Sequence, residues 1–300
     1  MNFREIDTSC AIQRTTSPAL DSILGHAFPV LDHGFVRVID YMGDDEAIVQ
    51  MARTSYGQGT KSVSDDRGLI RYLMRHAHTS PFEGCEIKLH VKLPVFVARQ
   101  WIRHRMANVN EVSGRYSVLP GEFYFPEAGR LGVQSKTNKQ GTGEAYDATE
   151  AAAILEMMEV AVTHSDLAYR TLVAEETDLA REQARIVLPL NIYTEWYWKI
   201  DLHNLFHFLK LRADPHAQWE IREYADAICK IVEQWVPSAF GAWVDYKRDA
   251  VTFSSMEIAV LRQAMEFVGE GPRSVMQQML VDLGTSNRES EEFLAKLKLK

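Results

Sequence analysis

The chain has 300 residues, a formal net charge of −8, and ordinary shares of hydrophobic (46%) and charged (25%) residues. That length supports one large domain or two small ones, and the acidic balance argues against a general binder of nucleic acid or anionic membrane, so an anion site has to be local. Three scattered cysteines, Cys10, Cys85 and Cys229, argue against a disulfide framework or a cysteine-rich zinc site, and the N-terminus "MNFREIDTSCAIQRTTSPAL" carries no apolar secretory core.

Residues 1–33 are polar and read as an irregular arm. "GFVRVIDYM" (34–42) alternates and predicts a first strand. Helical spacing predicts helices over 44–56 and 64–78, the second with Leu69, Leu73 and Met74 on one face. "TSPFEGC" turns the chain into the clearest strand, 86–93, where Ile87, Leu89, Val91 and Leu93 alternate with Glu86, Lys88, His90 and Lys92. Pro94 ends it, and 95–106 predicts a helix. "ANVNEVSGRY" is rich in turn formers, 121–126 predicts a short strand, and 128–147 reads as a loop insertion. A long helix from 148, another over 178–189, a strand over 190–201 and a helix over 202–212 follow. Asp214 and Pro215 look like the N-cap and first position of a further helix, and the tail beyond about residue 250 is helical in pattern. No apolar run approaches the roughly 20 residues of a membrane span. The mixture predicts an α+β fold, a mixed or antiparallel sheet with a helical layer.

The stretch "ARQWIRHRMANVNEVSGRYS" (98–117) gathers four arginines in an acidic chain. On a helix, Arg99 and Arg103, and Gln100 and His104, are i,i+4 neighbours, while Arg105 points elsewhere. Guanidinium groups then face more than one way, which suits two anionic ligands or two subunits; a solvated basic face is the alternative. Ser113-Gly114-Arg115 offers a hydroxyl, a flexible backbone and a planar fork, the donors a phosphate needs, or else a turn with a salt bridge. Glu111 can pair with an arginine, or accept from a ribose hydroxyl or a ring N–H. There is no GxxxxGK[ST] and no GxGxxG after a strand. His203 and His207 have a metal-site spacing, but no HExxH or carboxylate pair completes it, so no metal is expected. Arg212 closes that helix, either satisfying carbonyls or acting on a substrate that must lose a proton.

Arg103-His104-Arg105, seven residues, then Ser113 resembles the signature of the flavin-dependent thymidylate synthases. "ARTSYGQG", "HAHTSPFE", "PVFVARQWIRHR", "NEVSGRYS", "EFYFP", "ARIVLPLNIYTEWYW" and "NLFHFLKLRADPHAQWEIREYA" are similar to family segments in the family's order, over about residues 34–245. The resemblance implies three parts: an N-terminal arm (1–33), the synthase domain (34–245) and a helical C-terminal extension (246–300). It implies reductive methylation of dUMP to dTMP, with carbon from 5,10-methylenetetrahydrofolate and reducing equivalents from NADPH carried by FAD. It implies a homotetramer with active sites at subunit interfaces, in the cytoplasm, without metal, nucleic-acid or membrane partners. By position, Gln100, Arg103, Glu111, Val112, Ser113, Gly114, Arg115, Arg185 and Arg212 correspond to dUMP contacts. Ser55, Ser80, Arg103, His104, Arg105, Glu111, Asp201, Leu202, His203 and His207 correspond to FAD contacts, with His78 beside the flavin. Arg212 corresponds to the catalytic group that activates dUMP, favouring the N3-deprotonated uracil so that C5 gains electron density without an enzyme thiol. Asn108, Asp201 and His203 depart from the family's common residues. A nucleotide- or nucleic-acid-binding protein and a histidine-based metal hydrolase are the competing readings.

Overall fold

The computed structural model describes residues 14–54, 66–136, 140–266 and 272–297. The chain divides into two compact units, 1–248 and 249–300. The first unit opens with a one-turn helix α1 (Pro18–Asp21), strands β1 (Ala27–Val30) and β2 (Gly34–Met42), and helices α2 (Asp45–Thr54), α3 (Asp66–Arg75) and α4 (Ser80–Glu83). Strand β3 (Glu86–Pro94), helix α5 (Val95–Trp101) and strand β4 (Asn108–Glu111) follow, then a hairpin of β5 (Gly132–Gln134) and β6 (Thr142–Ala145). Helices α6 (Ala148–Val173) and α7 (Arg181–Ala184), strand β7 (Tyr193–Asp201), and helices α8 (Leu202–Arg212), α9 (Trp219–Trp235) and α10 (Pro237–Trp243) complete it.

The main sheet runs β1-β2-β3-β7-β4, antiparallel throughout. Register puts Ile87 opposite Ile200, Leu89 opposite Trp198, Val91 opposite Trp196 and Leu93 opposite Thr194, so these eight side chains share the core face. The other face carries Glu86, Lys88, His90 and Lys92, half-buried, with Lys199 paired to Glu86 at 2.5 Å and His90 hydrogen-bonded to Glu195 at 2.9 Å.

Against the core face, Trp101 at the end of α5 is fully buried. Its ring lies 5.1 Å from Trp198, 4.7 Å from Phe208 of α8 and 6.0 Å from Tyr224 of α9. This aromatic cluster fixes where α5 ends, and therefore where the arginine-rich stretch begins. Tyr224 passes over β2 and donates to the Lys92 carbonyl at 2.7 Å. Gly34 permits that crossing, because a Cβ there would lie 2.0 Å from the Tyr224 hydroxyl.

The predicted strands at 34–42, 86–93 and 190–201, and the helices at 148 and 202–212, are present. Several expectations are corrected. The arm contains α1 and the edge strand β1. The helix predicted over 95–106 stops at Trp101, so Arg103, His104 and Arg105 lie beyond it and the i,i+4 pairings do not form. The chain leaves the helix there to reach the sheet edge, where the supposed turn formers become β4. Residues 121–126 contribute one isolated bridge, Phe123 to Ile192, and 128–147 holds the β5–β6 hairpin. Asp214 does not cap α9: its carboxylate accepts from the His216 N–H at 2.8 Å in a local turn, and the helix begins at Trp219.

The second unit comprises α11 (Ser255–Glu266), α12 (Pro272–Asp282) and α13 (Asn287–Lys296). Ser286 and Glu289 form a reciprocal capping box at the start of α13.

Candidate active site

The predicted site residues gather at the two ends of α5. Seven residues at 1.5 Å each separate those ends by roughly 10 Å.

At the N-terminal end, Val95 borders a cleft of about 240 Å³ that Glu111, Val112, Gly114, Arg185 and Thr194 also line. Glu111 ends β4 opposite Trp196, on the core face, and accepts a hydrogen bond from the Thr194 hydroxyl at 2.7 Å. The chain then turns through Ser113, whose carbonyl accepts from Tyr116 and Ser117 and whose hydroxyl accepts from the Arg115 N–H at 3.2 Å. Gly114 is buried, and a Cβ there would come 3.2 Å from Leu119 and 3.3 Å from Arg185, so the turn packs directly on the arginine stem. Arg185 meets no carboxylate among the described residues. Arg115 does: its guanidinium pairs with Glu182 at 2.9 Å.

At the C-terminal end, Arg212 reaches back from α8. Its Nη2 donates to the Gln100 carbonyl at 3.1 Å and its Nε to His104 Nε2 at 3.1 Å. The contact to the Gln100 carbonyl leaves the Nη1 edge uncommitted among the described residues. An arginine can only donate, so Nε2 of His104 is an acceptor and the neutral ring carries its proton on Nδ1. Burial, then the nearby charges of Arg212 and His207, push His104 down to about 4. The Gln100 side chain donates to Gln218, which leaves its own amide oxygen as an acceptor. Arg103 and Arg105 are exposed and meet no carboxylate among the described residues.

The His104 and His207 rings are 5.7 Å apart. His207 also lines a second cleft, of about 280 Å³, with His78, His203, Lys210, Phe206 and Trp243. Phe206 and Trp243 stack at 5.2 Å as an apolar wall under this basic rim. Ala77 adopts a left-handed backbone (φ 55°) just before His78, which turns the chain out of α3. An apolar aromatic wall rimmed by histidine and lysine suits a flat ring system carrying phosphates, as FAD does.

Other expected contacts are placed differently. Asp201 caps α8, accepting from the Asn204 N–H at 2.9 Å and its side-chain amide at 2.7 Å. Leu202 is fully buried and its N–H is used by the Cys85 carbonyl at 2.8 Å, so its side chain belongs to the core. Ser80 opens α4, exposed and outside both clefts. Ser55 lies outside the described residues. Among the described residues no three His, Cys, Asp or Glu converge as a metal site. Sequence reading missed Glu182, Gln218 and Thr194; only Thr194 left a signal, a hydroxyl in the row Thr194, Trp196, Trp198, Ile200.

Arg185 at one cleft and the basic, aromatic lining of the other are groups that suit anionic ligands bearing flat rings. Residues 37–238 match the family model described as thymidylate synthase complementing protein. The chain is 56% identical over 283 residues to a flavin-dependent thymidylate synthase of Ruegeria pomeroyi, covering 94% of this chain and 91% of that one. It is 54% identical to a protein of the same description from Gluconobacter oxydans, covering 95% and 91%. A crystal structure of a UMP/dUMP methylase from Streptomyces cacaoi bound with 5-bromo-UMP aligns at a TM-score of 0.65 and 30% identity, covering 74% of this chain and 98% of that one. The chain belongs to the thymidylate synthase complementing protein family, as the resemblance in its sequence implied.

Proposed function

We propose that the protein is a flavin-dependent thymidylate synthase, methylating dUMP to dTMP with 5,10-methylenetetrahydrofolate as carbon donor and NADPH as reductant. The observation that carries this reading is the 56% identity, over more than nine-tenths of both chains, to a relative of that name. The turn Ser113–Arg115 and Arg185 hold the dUMP phosphate through charge-assisted hydrogen bonds, with Glu182 yielding Arg115 to it. Arg212, presented by His104 and Gln100, stands beside the uracil and favours its N3-deprotonated form, which raises electron density at C5. Arg103, Arg105, His78, His203 and His207 hold FAD, which when bound supplies the hydride. Neither described thiol suits a nucleophile: burial pushes both Cys85 and Cys229 up to about 12.

The two ends of α5 are complementary halves of a site shared between copies, in a homotetramer. Two observations support this. The dUMP-facing groups of one chain are split between those ends, and α6 exposes an apolar face, with Met157 67%, Val160 51% and Leu167 61% accessible. No described helix is long and apolar enough to cross a membrane; we place the enzyme in the cytoplasm. Purified protein is expected to be yellow and to oxidise NADPH with dUMP and methylenetetrahydrofolate, releasing dTMP. Colourless protein that FAD cannot reconstitute, or no dTMP, contradicts the reading.

A further inference from the structure

We infer that Thr194 is a positioning residue for the Glu111 carboxylate, a role that rests on the thymidylate synthase reading. Thr194 is 6% accessible, on the core face of β7, in a row otherwise of Trp196, Trp198 and Ile200. A hydroxyl there has to find a partner or leave a buried polar group unsatisfied. It finds Glu111 Oε1 at 2.7 Å, diagonally across the β4–β7 pairing, and both residues line the cleft that holds Gly114 and Arg185.

Glu111 is the last residue of a short edge strand and is itself exposed. Without a tether its carboxylate has several rotamers, and from some of them it can reach the cations that are needed for a phosphate. The Thr194 hydroxyl occupies one carboxylate oxygen and leaves the other to accept from a ligand donor. The tether thus orients the carboxylate for a ligand and holds it from neutralising Arg185.

The test is a double-mutant cycle on the flavin-loaded protein, with Thr194→Val, Thr194→Ser, Glu111→Gln and the Thr194→Val/Glu111→Gln pair. Both kcat/KM for dUMP and the dUMP dissociation constant, by calorimetry, are read. Thr194→Val, which keeps shape and removes the hydroxyl, is expected to weaken dUMP binding by roughly tenfold, the scale of one hydrogen bond to a charged group. Thr194→Ser restores the loss, and in the Glu111→Gln background Thr194→Val costs less than about twofold, since the two act as one unit. Affinity within twofold of the unaltered protein for Thr194→Val, or an equal loss with and without Glu111, overturns the inference and leaves the enzyme reading standing. No dTMP from the unaltered protein removes both.

Discussion

The two ends of α5 differ in how their arginines are held. At the C-terminal end Arg212 is fixed on two sides, by a backbone carbonyl and by a neutral histidine under aromatic packing. At the N-terminal end Arg185 lies on an exposed turn, free of carboxylates among the described residues, and its neighbour Arg115 is borrowed by Glu182. A fixed cation suits stabilising charge that develops during a reaction, because it needs no reorganisation. Adaptable cations suit capturing a phosphate that arrives already charged. In the proposed function the contrast separates chemistry from grip, and each end is then open to a different kind of damage.

The largest effect is expected from Arg212→Ala, which removes the fixed cation: kcat falls by about 10²–10³, while the flavin spectrum and dUMP affinity change much less. Steady-state kinetics beside absorbance of the purified variant check this, and an unaltered kcat would erase the distinction. Arg185→Ala is expected to act the other way round, weakening dUMP binding by about 10–100-fold, the range for a hydrogen bond to a charged group, with a smaller change in kcat at saturation. Calorimetric titration reads it directly. Ser113→Ala removes a neutral donor, and a loss of several-fold in dUMP affinity with kcat nearly intact is expected.

The smallest effect is on stability and concerns His104. Its folded value lies near 4, against an ordinary 6.5. Between those values the unfolded chain binds more protons than the folded one, so the contribution is complete above about 6.5 and is lost as pH falls towards 4. Thermal midpoints measured from pH 7.5 to 4.5 should therefore drop more steeply for the unaltered protein than for His104→Gln. Parallel curves would mean that His104 is not held neutral by its burial and the nearby charges of Arg212 and His207.

Much of this was legible in the chain. The alternation of Ile87, Leu89, Val91 and Leu93 announced β3, and the Arg103-to-Ser113 spacing announced the family. Less legible was everything set by partners distant in sequence. No glycine or proline marks the end of α5; Trp101 ends it by packing among Trp198, Phe208 and Tyr224, roughly a hundred residues away. Asn108 and Asn110 read as turn residues, yet they pair with β7 as an edge strand, where one side of the backbone is free and strand propensity counts for little. Asp214-Pro215 imitates a helix start, but the local bond to His216 wins and α9 waits for Trp219. Asp201, expected at the flavin, is consumed by the cap of α8. Trp101 and the two asparagines thus took partners that only the tertiary structure supplies, whereas Asp214 and Asp201 took partners two and three residues along the chain.

The shared-site account is tested most directly by mixing. Arg212→Ala and Arg185→Ala chains are co-expressed and the mixed oligomers assayed for dTMP formation at dUMP well below the dissociation constant of the Arg185→Ala chain, where each variant alone turns over little. If the two ends of α5 serve different sites, some sites draw an intact Arg212 from one chain and an intact Arg185 from the other. Random assembly then restores about a quarter of the sites. If both ends of one chain build the same site, every site carries one lesion, and activity no higher than that of the separate variants would contradict the account.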